Sequence, residues 1–186
     1  SDPVSHSISA NEIAVVAEKI AAANRPIIIA GLGVVNAGAK EACITLAEQS
    51  GALLATTLPA KGLFHDQPFC LGVAGGYASD KAKAIFAKSD LVIGIGARLA
   101  SHSFEGGQLT PNAFVVHLDV APQTYVQGRH AADLLIKADA KYGANALSAV
   151  LDRKTGWRTP TMQQVTSDAL VLPDDRITPD GLLHPM

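Results

Sequence analysis

Side chains that can hold an anion or a sugar hydroxyl recur here directly after short apolar runs. RPIIIA leads into Gly31-Leu32-Gly33, ALLA into Thr56-Thr57, DLVIGI into Gly96-Ala97-Arg98, AFVVHL into Asp119, and DLLIKA into Asp139. Glycines let a backbone approach phosphate, and the free N–H groups at a helix start attract anions. Threonine hydroxyls and an arginine hold oxyanions. An aspartate at a strand end can accept from ribose hydroxyls or adenine. Ligands of open parallel sheets bind beyond the carboxyl ends of the strands, so the set resembles a nucleotide crevice. Each member has a plainer reading too: tight turns for Gly31 and Gly33, an ion pair for Arg98, a cap on the Ala121-Pro122 turn for Asp119. Only their coincidence on one edge raises the functional reading.

The familiar motifs fail on inspection. G-x-G-x-x-G starts at Gly31 but meets Asn36 where the third glycine belongs, and a P-loop starting at Gly33 meets Ala39 where the lysine belongs. A dinucleotide domain also needs an acid at the end of its second strand, and that strand ends in Thr56-Thr57-Leu58. GIGARL lacks its third glycine as well, which disfavours a simple NAD-dependent dehydrogenase. No G-x-S-x-G elbow is present. The six histidines show no metal-ligand spacing. His102 and Glu105 lie in a Ser/Gly-rich loop and read as solvated. His117 lies inside an apolar run and reads as a core histidine. His65-Asp66 has nothing nearby to complete a triad. No constellation would do acid–base or nucleophilic work by itself.

The elements that must position these groups follow from periodicity. EIAVVAEKIAAAN has helical spacing with Asn11 as N-cap. AGAKEACITLAEQSG reads as a second helix, with Gly51 as its C-terminal stop. Another runs from Ser79 or Asp80 through Lys88, another covers KYGANALSAVL, and one more lies around Thr159 to Leu170. The apolar runs above are short and continuous, as in strands buried on both faces. LPAKGLFHDQPFCLGVAGG, rich in Gly and Pro, reads as a long loop. Alternating helices and buried strands predict an α/β fold, a single Rossmann-like three-layer domain with a mainly parallel sheet of about six strands.

The chain of 186 residues suits one domain with tails. With 15 basic against 17 acidic side chains, it offers no electrostatic case for nucleic acid or an anionic membrane. No apolar run approaches the roughly 20 residues that span a bilayer, and SDPVSHSISA is unlike a signal peptide. Cys43 and Cys70 form no C-x-x-C and read as buried free thiols of a reducing, cytoplasmic compartment. The closing LVLPDDRITPDGLLHPM reads as a linker.

Five segments, in order, resemble one family: RPIIIAGLGVVNAGA, LAEQSGALLATTLPAKGLF, LGVAGGYASDKA, SDLVIGIGARL and NAFVVHLDVAP. Together they look like the central domain of thiamine-diphosphate-dependent enzymes of the acetolactate synthase type. The resemblance implies a domain over residues 11–150, a linker over 1–10 from an N-terminal domain, and a helix and linker over 151–186 toward a C-terminal one. It implies a parent lyase or transferase that acts on 2-keto acids, a homodimer or homotetramer. Thiamine diphosphate and Mg would belong to that parent, because the activating glutamate of the first domain and the G-D-G…N motif of the third are not matched here. The chain would not be catalytic alone. Central domains of this kind bind FAD in some members, ADP in others and nothing in many. Carried over by motif, nucleotide contacts fall on Gly31, Gly33, Thr57, Leu58, Gly75, Gly76, Tyr77, Gly96, Arg98, Asp119 and Asp139. The sequence departs from the FAD-binding pattern. Leu99-Ala100-Ser101-His102 stands for F-D-D-R, Gly75-Gly76-Tyr77-Ala78 for G-M-H-G, and Asp119-Val120-Ala121-Pro122 for D-I-D-P. Two other readings stay open: a free-standing nucleotide-binding module of the same fold, and a purely structural interaction domain.

Overall fold

The structure, a computed structural model, describes residues 7–99, 108–122, 125–126, 129–130 and 132–170. The expectations for the first six residues, for the His102/Glu105 pair, for Ala100 to His102 and for the tail beyond Leu170 lie outside them.

Six parallel strands form the main sheet, in the order β3-β2-β1-β4-β5-β8. They are β1 Pro26–Ala30, β2 Leu53–Thr56, β3 Cys70–Val73, β4 Leu91–Ile95, β5 Phe114–Asp119 and β8 Leu134–Lys137. Tyr125–Val126 and Arg129–His130 make a separate antiparallel ribbon, β6 and β7. β1 and β4 are buried at every residue, as continuous apolar runs become when helices cover both faces. Alternate residues divide the core. Ile28, Leu54, Ile93, Val116 and Ile136 face one side, where they meet α1 (Ala10–Ala22), α3 (Lys40–Ser50) and α5 (Ala140–Val150). Ile27, Ile29, Leu53, Val92 and Val115 face the other, where they meet α4 (Asp80–Ala87) and α6 (Pro160–Ala169). A short helix, α2 (Leu32–Asn36), follows β1. The α/β three-layer architecture is therefore as expected.

Some boundaries moved. The N-cap of α1 is Ser9, not Asn11: Ser9 and Glu12 form a capping box, side chain to backbone in both directions at 3.1 Å. The S-x-x-E spelling is present in the sequence. The long loop after β2 contains a strand, β3, whose four residues are too few and too glycine-broken to show periodicity.

Residues 151–170 pack into the same body. Lys154 Nζ donates to the carbonyls of Ile20, Ala21 and Ala23 at 2.8, 2.8 and 2.6 Å, completing the end of α1. Trp157 Nε1 donates to the Pro26 carbonyl at 2.8 Å and Arg158 Nε to the Ala52 carbonyl at 2.6 Å. Both bonds fasten this segment to the entry ends of β1 and β2.

Candidate functional site

The chain crosses from β1 to β2 on one side and from β3 to β4 on the other, so the sheet order reverses between β1 and β4. Their carboxyl ends diverge there, which opens a crevice. A cleft of about 780 Å³ occupies that place. Of the expected residues, Gly33, Thr57, Leu58, Tyr77, Gly96, Arg98 and Asp119 line it.

The rest of the expected set stands elsewhere. Gly31 lies beneath the cleft against Ala97, where a Cβ would collide with the Ala97 backbone. Asp139 is the N-cap of α5, its carboxylate accepting from Tyr142 N at 2.8 Å. Gly75 and Gly76 precede Tyr77 but are not part of the wall. Leu32, Asn36, Pro59, Ala74, Val120 and Ala121 line the cleft and escaped sequence reasoning. Asn36 is instructive: the residue that spoils the glycine motif comes one helical turn after Leu32, so α2 turns both toward the cleft.

The glycines serve packing before they serve a ligand. Gly31 N donates to Ile95 O at 3.0 Å, Gly33 N to Gly96 O at 2.8 Å and Gly96 N to Leu118 O at 2.8 Å. These amides are spent on stitching the β1, β4 and β5 turns together. A Cβ on Gly33 would stand 2.7 Å from Gly96 Cα, and Gly96 itself has φ 56°. Two turns can touch this closely only without side chains. The Gly31, Gly33 and Gly96 amides thus already have backbone acceptors. The side chains the cleft offers an anion are Arg98, exposed and engaging no described residue, and the Thr57 hydroxyl.

Below the cleft floor His117 is fully buried. Its Nε2 donates to Ala97 O at 2.6 Å and lies 3.8 Å from Asp119 Oδ2. Nδ1 has no partner among the described residues. Burial holds the imidazole pKa below its usual value, against the opposing pull of the Ala97 bond and Asp119. The Nε2 bond fastens β5 to the turn that carries Arg98, with Asp119 beside it. The expectation of a core histidine is met, with this added link to the site.

Among the described residues no group of three His, Cys, Asp or Glu side chains could hold a metal ion. No helix among them is long and apolar enough to cross a membrane.

Comparison with known proteins points to one family. The family model described as "Thiamine pyrophosphate enzyme, central domain" matches residues 13–150. The chain is 36% identical over 137 residues to the acetolactate synthase large subunit of Mycobacterium tuberculosis, covering 73% of this chain and 22% of that protein. It is 34% identical over 142 residues to the acetolactate synthase of Mycobacterium leprae, covering 75% and 23%. The structure of benzoylformate decarboxylase from Polynucleobacter necessarius superposes with TM-score 0.65 at 17% identity, covering 80% of this chain and 28% of that one. That last likeness speaks for the fold alone. The chain thus spans under a quarter of the length of the synthases it matches.

Proposed function

Since the chain belongs to the thiamine pyrophosphate enzyme central-domain family, we propose that it is the middle domain of an acetolactate synthase-like parent that acts on 2-keto acids in the cytoplasm. The parent binds thiamine diphosphate and magnesium through its other domains and assembles as a homodimer or homotetramer. Thiamine supplies the carbanion chemistry, and the protein orients the partners. This chain contributes a scaffold and no catalytic group. Purified, it turns over no pyruvate with thiamine diphosphate and Mg²⁺; turnover would sink the assignment.

The crevice of this domain takes the diphosphate of an adenine nucleotide. One observation carries that reading: seven residues from separate strand ends converge on one cleft at the topological switch point. Its size falls in the range of small-molecule sites, roughly 300–1,000 Å³. Arg98 and Thr57 would meet the diphosphate, Asp119 a ribose hydroxyl, and Leu58 and Tyr77 the base. The absence of the F-D-D-R acids favours ADP over FAD. Titration calorimetry with both ligands tests this. Arg98→Gln is expected to weaken ADP at least tenfold, since a charge-assisted contact is worth about 1.5–3 kcal/mol. Absence of heat with either nucleotide would leave a bare scaffold.

A further inference from the structure

A second cavity, of about 460 Å³, opens at the sheet edge between β3, the preceding loop and the end of α6. Three features of this edge have no part in the nucleotide reading. First, Phe69 is the only non-glycine with positive φ, 65°, among the described residues. A bulky side chain rarely adopts that backbone. Here Phe69 O accepts from Leu54 N at 2.9 Å and the Arg158 guanidinium lies 4.9 Å from the ring centroid. Second, β3 is bulged: Leu54 pairs with Cys70 but Thr56 with Val73. Gly72, φ 79°, absorbs the extra residue, and bulges are common beside functional sites. Third, Lys61 is the one formally charged side chain among the described residues that line the cavity. Lys61 lines the cavity, is exposed and engages no described residue. His65 lines it as well, its Nδ1 donating to the Gly62 carbonyl at 2.6 Å. No carboxylate lines it. Asp66 is held by Lys40 at 3.2 Å.

We propose that this cavity binds a small amphipathic carboxylate, its apolar part against Phe64, Leu71, Ala169 and Leu170 and its carboxylate against Lys61 Nζ. The volume lies in the small-molecule range of roughly 300–1,000 Å³, and a mostly apolar wall with a single cationic rim matches that ligand in both size and charge. Cys70, Leu71, Gly72 and Val73 of the bulged strand form one wall of that space.

Amide NMR of the full chain, titrated with 3-phenylpropionate and with uncharged 3-phenylpropanol, tests this. Saturable shifts are expected at Gly62, Gly72 and Val73, with the carboxylate binding about three- to fivefold more tightly than the alcohol, as one exposed ion pair allows. Lys61→Gln, at an exposed position, is expected to erase that difference and leave the alcohol's affinity unchanged. Equal affinities in the parent chain, or no saturable shift, would overturn the proposal. So would shifts centred on Gly33 and Gly96, which would place the ligand in the other cleft. Binding seen only after the chain is ended at Leu170 would show the cavity to be the seat of the protein's own tail, and would overturn it too.

Discussion

His117 Nε2 reaches the Ala97 carbonyl at 2.6 Å, from the middle of a buried strand to the turn that presents Arg98. His117 is in register with Gly94 of the neighbouring strand. Loss of the imidazole would leave that carbonyl without its donor, and the turn would keep only its backbone bonds at Gly96.

His117→Leu is therefore expected to destabilise the fold by about 1–3 kcal/mol, the cost of an unmet buried polar group. It should also weaken any ligand that uses Arg98. Urea denaturation measures the first effect and calorimetry the second.

The same histidine sets a pH dependence. Its folded pKa is depressed from 6.5 by burial, so the unfolded chain binds the proton more readily. The stability this contributes is fully present above about pH 6.5 and is lost as pH falls below that value toward the folded pKa. Stability of the parent chain should decline over this range. His117→Leu should flatten that part of the curve, and urea midpoints from pH 7.5 to 5 would show whether it does.

The glycine turns predict contrasting costs. In Gly33→Ala and Gly96→Ala the new methyl meets backbone, 2.7 Å and 2.6 Å away, and neither can give. Each is expected to lower stability by more than about 2 kcal/mol. Gly38 has φ 62° but nothing within 4 Å, so Gly38→Ala should cost about 1 kcal/mol from backbone strain alone. Melting temperatures should rank Gly38→Ala well above the other two.

Trp157 is the single tryptophan, 7% exposed and bonded to the Pro26 carbonyl. Its fluorescence reports on the junction between the 151–170 segment and the sheet. Trp157→Ala is expected to cost about 3–5 kcal/mol. Lys154→Met, which removes the side-chain donor shared by three carbonyls at the end of α1 and leaves Ile20 O only the Ala23 amide, should cost about 1–2 kcal/mol. A chain ended at Val150 should melt far below the full chain, and an unchanged melting point would restrict the folding unit to residues 11–150.

Both thiols are free and buried. Burial pushes the Cys43 thiol up to about 12 and also raises that of Cys70. Alkylation at pH 8 should be slow at both until the chain unfolds. Cys70, which borders the second cavity, should react first, as peptide mass spectrometry would reveal.

The fold was legible where apolar runs were long and unbroken. IIIA, LVIGI and FVVHL become buried strands because no other structure hides so continuous a run on both faces. Helices were legible by spacing and stop signals, Gly51 after α3 among them. β3 was not. Its four residues CLGV contain the bulge glycine, and only pairing with β2 makes them a strand. The Ser9 cap is spelled in the sequence by Glu12 three residues on, while Asn11 is already the second residue of the helix.

The sequence by itself determined the layer architecture and which residues stand at strand ends, because both follow from local periodicity. It also carried the family, through five ordered segments. Only the tertiary structure decided which strand-end residues meet. Strand order puts Gly33, Thr57, Arg98 and Asp119 around one cleft and leaves Asp139 capping its own helix. The fate of each amide was likewise decided in three dimensions. The glycines of GLGVVNAG look like phosphate donors along the chain, yet in the fold the Gly31 and Gly33 amides pair with carbonyls of the β4 turn. A hydrogen-bond donor has one proton to give, and long-range packing had already claimed it.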